Sequence, residues 1–259
     1  MNPFWHLIKK EYRMSRMSFL TISAIILIAG LWLMYSNRQH LGIVIAPASL
    51  LVILALFYPA IFMLNSVSKE LKNTPHLWLQ CPQSAWVLLS AKLIPAITHA
   101  IFFLILAGGA AYMALFFSLW PIHSNSITTE QAALIITELG IYAGLAIVGS
   151  SLYLAAWGTL MAVASATVRN WLGRFRWLAG LAVLLVATWG VGWLHNSWLY
   201  TQVTKWGRFD LMPMSLKGIA SDHSFAGFEI YTGEIVAVFL VTLAVFALAA
   251  WLIDNKVEV

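Results

Sequence analysis

The sequence predicts an all-α, polytopic membrane protein with six transmembrane helices, and three observations carry that prediction. Six long apolar runs, at residues 18–36, 41–65, 93–120, 137–166, 177–200 and 231–253, occupy most of the 259 residues. A helix crosses a hydrocarbon layer of about 30 Å with about 20 residues, and a lipid interior leaves helices as the only way to satisfy the backbone of such runs. Composition agrees: 61% of residues are hydrophobic and only 10% charged, where soluble domains carry about 25% charge. The charges are also asymmetric. With the N-terminus in the cytoplasm, eleven of the 15 Lys and Arg residues fall on that side: Lys9, Lys10, Arg13, Arg16, Lys69, Lys72, Lys92, Arg169, Arg174, Arg176 and Lys256. Only Arg38, Lys205, Arg208 and Lys217 fall outside. This is the positive-inside pattern, and it places both termini in the cytoplasm.

The chain therefore reads as a single transmembrane domain over residues 1–259. Its formal charge of +5 is a topology signal and a contact for anionic membrane lipids. No basic groove or RNA-binding motif points to nucleic acid. The single cysteine, Cys81, excludes an internal disulfide or a multi-cysteine metal site. The first apolar run has a long basic leader and no small-residue cleavage pattern, so it reads as retained.

Residues 2–17 form the first element. On a helical wheel Phe4, Trp5, Leu7, Ile8, Tyr12 and Met14 lie opposite His6, Lys9, Lys10, Arg13 and Arg16. That predicts an amphipathic interfacial helix lying in the headgroup plane before the chain turns into the bilayer. Glu11 falls among the apolar residues, so it either pairs with a nearby lysine or contacts another cytoplasmic element. Residues 36–40 make a minimal hairpin, and Pro47 and Pro59 lie inside span two, where membrane helices tolerate kinks.

Residues 66–92 form the longest cytoplasmic segment. Thr74-Pro75 reads as an N-cap followed by proline at the first helical position. His76–Gln80 continues for a turn or two, and Cys81-Pro82 ends it. Ser84 then caps the helix leading into span three. Leu77, Trp78 and Leu79 need a surface to bury against, which is either the headgroups or a soluble partner. Span three contains His99, a candidate functional residue because ionisable groups are costly in a membrane, with hydrogen-bonded packing as the plainer role.

Thr128–Gln131 is a capping box that starts a helix ahead of run four. Gly140 and Gly144, with Gly149 after them, form a small-residue face of the kind that lets helices approach closely. Arg169, Arg174 and Arg176 anchor the turn before span five. The loop at 201–230 mixes charge with aromatics and predicts short amphipathic or re-entrant helices. Trp32, Trp120, Trp193, Trp198 and Tyr231 mark one interface; Trp171, Trp177 and Trp251 mark the other.

Catalytic signatures are missing. There is no phosphate-binding loop, no H-E-x-x-H, no G-x-S-x-G and no paired carboxylate or Lys–Asp set within the spans. The chain is thus expected to be no enzyme, with no cofactor or metal of its own, and any transport it performs draws energy from elsewhere.

Glu70, Thr74, Trp78-Leu79, Pro82, Ser84 and Lys92, together with the whole architecture, resemble the membrane subunits of type-two ATP-binding-cassette exporters. His76 departs from the acidic residue common there, and Cys81 and Gln83 also differ from the usual pattern. The resemblance implies a permease subunit in the cell (plasma) membrane that associates with a second copy or a sister permease. Separate ATPase subunits, which carry the ATP and Mg, bind beneath it. The segment around Thr74–Gln80 would be the coupling helix. Glu70 and Thr74 would shape it, Leu77, Trp78 and Leu79 would dock it, and Glu11 would link the N-terminal helix to the same surface. The family's substrates are diverse; the aromatic outer loop and tryptophan belts favour an amphipathic, lipid-like or peptide cargo. The alternatives are a non-transporting sensor, immunity or assembly subunit, and a membrane-embedded lipid-modifying enzyme.

Overall fold

The computed structural model describes residues 3–36, 42–73, 83–116, 129–169, 173–211 and 228–256. Four long helices come first: α1 (Pro3–Ser36), α2 (Gly42–Asn73), α3 (Ala85–Phe116) and α4 (Thr129–Thr167). After a 3-10 turn at Gly173–Phe175, α5 (Trp177–Leu185) passes through a π-helical turn (Val186–Gly190) into α6 (Val191–His195). The short α7 (Trp198–Thr204) leads to strands β1 (Arg208–Leu211) and β2 (Phe228–Tyr231), and α8 (Thr232–Lys256) closes the chain. The hairpin at residues 36–40, the short helix expected over Thr74–Gln80, Cys81-Pro82, Thr128, Trp120 and Trp171 lie wholly or largely outside the described residues.

Among the described residues six helical stretches are long and apolar enough to cross a membrane: Phe4–Gly30, Pro47–Asn73, Ala85–Met113, Ala133–Thr167, Trp177–His195 and Thr232–Asn255. Their outward faces are those of a protein surrounded by lipid. Ile28, Ile61, Ile105, Leu145, Trp189 and Phe239 all stand exposed along them, an apolar surface far larger than a soluble monomer presents. The chain is a multi-pass membrane protein. Trp32, Trp193 and Trp198, expected at one interface, and Trp177 and Trp251, expected at the other, are all exposed.

At the centre of the bundle α2 packs against both α3 and α4, α8 lies on α4, and α1 packs on α3 and more lightly on α2. The main core joins Met63, Val67 and Leu71 of α2 to Ala155, Leu160 and Val163 of α4 and to Phe246, Ala249 and Ile253 of α8. A second cluster joins Phe19 and Ile26 of α1 to Leu51 and Ala55 of α2 and Phe103 of α3. α2 and α4 approach tightly at Gly158, where an added Cβ would sit 2.8 Å from the Ala60 carbonyl oxygen. The small-residue face expected at Gly140, Gly144 and Gly149 meets no neighbour among the described residues: a Cβ at each would lie within 4 Å of none of their atoms. Small residues permit close approach, but the partner surface decides which of them achieve it.

Two sequence expectations are corrected. The amphipathic segment at residues 2–17 does not turn before the bilayer; it continues as one helix to Ser36. Nothing between Pro3 and Gly30 would break it, since neither proline nor glycine intervenes. The 201–230 loop, expected to form short amphipathic or re-entrant helices, has the end of the short helix α7 but also an antiparallel strand pair, with Arg208 opposite Tyr231 and Phe209 opposite Ile230, while residues 212–227 lie outside the described residues. RFDL alternates charged with apolar residues, and FEIY sets Glu229 between Phe228 and Ile230, the period of a strand. Arg208 reaches diagonally across the pair to the Glu229 carboxylate, one of the cross-strand contacts that stabilise such a ribbon.

This ribbon is seated on α8 through two glycines. Gly207 has φ +66°, a left-handed conformation that glycine adopts without strain. Gly233 faces the Thr204 backbone carbonyl so closely that a Cβ there would overlap it. Gly233→Ala is expected to prise the α7–β1 junction from α8. Tryptic cleavage after Lys205 and Arg208 should then become several-fold faster than in the parent; an unchanged rate would mean that the contact does not hold the loop.

Candidate functional site

One face of α1 is buried along its length. Ile8, Glu11, Ser15, Phe19, Ser23 and Ile26 recur at intervals of three and four, the spacing of a single helical stripe. Glu11 belongs to this stripe and is 3% exposed. Opposite it, Lys92 lies two turns into α3 with 2% exposure. Neither charge has access to water, and an isolated buried ion costs several kcal/mol.

The two meet directly, and a third residue joins them. Lys92 Nζ lies 2.9 Å from Glu11 Oε1 and 2.9 Å from Glu70 Oε1, near the end of α2. It also donates to Ser66 Oγ at 3.0 Å, one turn earlier on α2. An ammonium group has three N–H donors, and all three are used, each by an oxygen and together across two other helices. The half-exposed Lys10 flanks the group, 3.6 Å from Glu70 Oε1 and 3.8 Å from Glu11 Oε1. Two cations thus face two anions, so the cluster is neutral overall while fully charged internally. Such a set is favourable only when every hydrogen-bonding position is filled.

The cluster marks one end of the bundle, called here the basic end. α2 ends three residues beyond Glu70, at Asn73, and α3 begins seven residues before Lys92, at Ala85. The segment between them, carrying Thr74, Leu77, Trp78 and Leu79, lies outside the described residues. Of the sequence-predicted site residues, Glu11 and Glu70 are therefore brought together, on a shared lysine. Asp254, near the end of α8, reaches the same end and accepts a hydrogen bond from the Ala85 backbone N–H at 3.3 Å. A carboxylate suits this position because the first turn of a helix has free N–H groups and a partial positive charge. The expected cap, Ser84, accepts the Val87 and Leu88 N–H groups through its backbone carbonyl.

Two turns deeper on α3, His99 is buried and hydrogen-bonded through Nδ1 to the Tyr58 hydroxyl of α2 at 3.2 Å. Phe19 stacks on the imidazole with centroids 4.0 Å apart. The partner of His99 is a phenol and an aromatic face rather than a carboxylate, which matches its plainer role as a packing residue. Among the described residues no group of three His, Cys, Asp or Glu side chains could hold a metal ion.

Sequence reasoning singled out Glu11 and Glu70 as site residues but used Lys92 only as a cytoplasmic charge and as one residue of the family resemblance. A signal was present. Lys92 stands within an apolar run, AWVLLSAKLIPAI, and Glu11 stands on the apolar face of its helix. Two opposite charges, each on the wrong side of its own element, are candidates to neutralise one another. Compared with known proteins, the chain matches no protein family, no curated protein and no solved structure. Six apolar helices with a buried three-helix charge cluster define its class, a multi-pass membrane protein joined at one end by ion pairing.

Proposed function

We propose that this chain is the membrane-spanning permease subunit of an ATP-binding-cassette transporter. Its cargo is an amphipathic, lipid-like or peptide substrate, exported at the expense of ATP bound with Mg by separate ATPase subunits. A second copy or a sister permease completes the membrane pathway, with the basic end and both termini facing the cytoplasm of a plasma-membrane protein.

The observation that supports this reading is the Lys92 cluster. A subunit driven from below needs the segment receiving the push to be fixed to its spans. Glu70 lies four residues before Thr74, on the helix that enters the 74–82 segment, and Lys92 lies on the helix that leaves it. Glu11 ties the N-terminal helix to both. A displacement applied at Trp78 would then reach three helices together, the rigid-body form of conformational coupling. Glu70 and Thr74 shape the receiving segment; Leu77, Trp78 and Leu79 dock it on the ATPase.

The test is co-expression with a stand-alone ATPase encoded beside it. Trp78→Asp is expected to abolish co-purification of the ATPase while leaving membrane insertion intact. Undiminished co-purification would remove the docking role. Stimulation of ATP hydrolysis by a candidate cargo in the assembled complex separates a transporter from a sensor or immunity subunit of the same shape.

A further inference from the structure

A second charged feature of the basic end takes no part in the Lys92 cluster. Between α2, α4 and the start of α5 lies a cavity of about 220 Å³. Lys72 enters it from α2, Arg169 from the turn that follows α4, and Arg176 from the residue preceding α5. None of the salt bridges among the described residues involves any of the three. The remaining lining is mostly apolar, with Leu71, Ala162 and Trp177 beside Ser68 and Ser165. The cavity also opens on the first turn of α5, whose N-terminus has no side-chain cap.

These features belong together. Three cations from separate elements converge on a space whose lining, among the described residues, carries no acidic side chain, and the positive end of a helix dipole adds further attraction for an anion. The volume is smaller than the roughly 300–1,000 Å³ of sites for drug-sized molecules, and matches a single headgroup. Leu71 and Ala162 belong to helices that continue as membrane-crossing surfaces, so a ligand charged at one end can lay its other end along them. Trp177, more than half exposed, sits where amphipathic rings occupy the headgroup layer.

We propose that this cavity is a binding site for a phosphate-bearing anion, held by Lys72, Arg169 and Arg176. The two sources of that chemistry are the headgroup of an anionic phospholipid and a soluble phosphate. The inference does not depend on the transport reading: the cavity would hold the same ligand in a sensor or an assembly subunit.

The test uses the full chain purified in a non-ionic detergent, titrated with phosphatidylglycerol or phosphatidylcholine and followed by native mass spectrometry. Phosphatidylglycerol is expected to be retained at least about ten-fold more strongly than phosphatidylcholine, and R169Q/R176Q to lose that preference, since each basic group near a headgroup contributes attraction. Lys9→Gln, on the exposed face of α1, is expected to leave it intact. Should R169Q/R176Q fail to fold, judged by its melting curve, Lys72→Gln is measured in its place, with a smaller loss expected. Displacement of the lipid by millimolar inorganic phosphate assigns the site to a soluble anion; resistance to it assigns the site to the lipid. Equal retention of the two lipids, or an equal loss in Lys9→Gln, would overturn the proposal.

Discussion

Lys92→Met is expected to destabilise the protein by about 3–5 kcal/mol, the range seen when one member of a buried ion pair is removed. The substitution keeps the length and apolar stem of the side chain and deletes only the ammonium group. Glu11, 3% exposed, then loses its 2.9 Å partner, and so does Glu70. Two carboxylates that both bound one cation now face each other at close range. Lys10 cannot replace what is lost, because it stands 3.6 and 3.8 Å away and is more than half exposed. Equilibrium unfolding of the purified protein, followed by tryptophan fluorescence, measures the change. The triple substitution K92M/E11Q/E70Q should recover much of the stability by removing the stranded charges together. That non-additivity is the signature of groups sharing one interaction. A Lys92→Met protein within about 1 kcal/mol of the parent would mean that the cluster contributes no more than a surface pair does.

The second large effect is expected at Gly158→Leu. The α2–α4 contact is the most extensive among the described residues, and at Gly158 it leaves no room: a Cβ would lie 2.8 Å from the Ala60 carbonyl oxygen and 3.5 Å from its Cα. The obstacle is backbone, so no rotamer change relieves it. The helices must separate, and contacts of Met63 and Val67 with Ala155 and Val163 loosen with them. Overpacking of this kind costs about 1–3 kcal/mol and more where the backbone must move. Gly140→Leu supplies the internal comparison. It adds the same side chain to the same helix where no atom of the described residues lies within 4 Å of the added Cβ, so stability should change by no more than about 0.5 kcal/mol. Equal losses at both sites would trace the effect to α4 itself rather than to its contact with α2.

The six helices were legible because a hydrocarbon environment leaves the backbone no alternative, and long uncharged runs report that constraint whatever the details of packing. Less was legible where the decisive partner is remote. Glu11 and Lys92 are separated by 81 positions, and neither reveals its partner, though each is conspicuous as a charge on an apolar surface. Ser66 and Asp254 gave no signal, being unremarkable polar residues at helix ends. The strand pair was missed for another reason. Four residues are too few for alternation to stand out against a loop rich in aromatics, and a period of two must be sought deliberately there. The uninterrupted α1 follows from an absence, that of any glycine or proline near residue 17, whereas amphipathicity alone drew attention to a separate interfacial segment. In the glycine series, sequence identified residues able to permit close approach but not which of them faces another helix, a fact of tertiary placement.

Span five is held differently from its neighbours. Its α5 portion packs chiefly against α4, and its helical path widens at Val186–Gly190, a departure from regular winding that recurs at functional positions. Stiffness is accordingly uneven across the molecule. Ion pairing and tight contact lock spans one to four into a frame, while the fifth is a compliant strut with little burial to resist displacement. Mechanical yield under load would concentrate in that strut and be delivered through α7 to the ribbon at the far end.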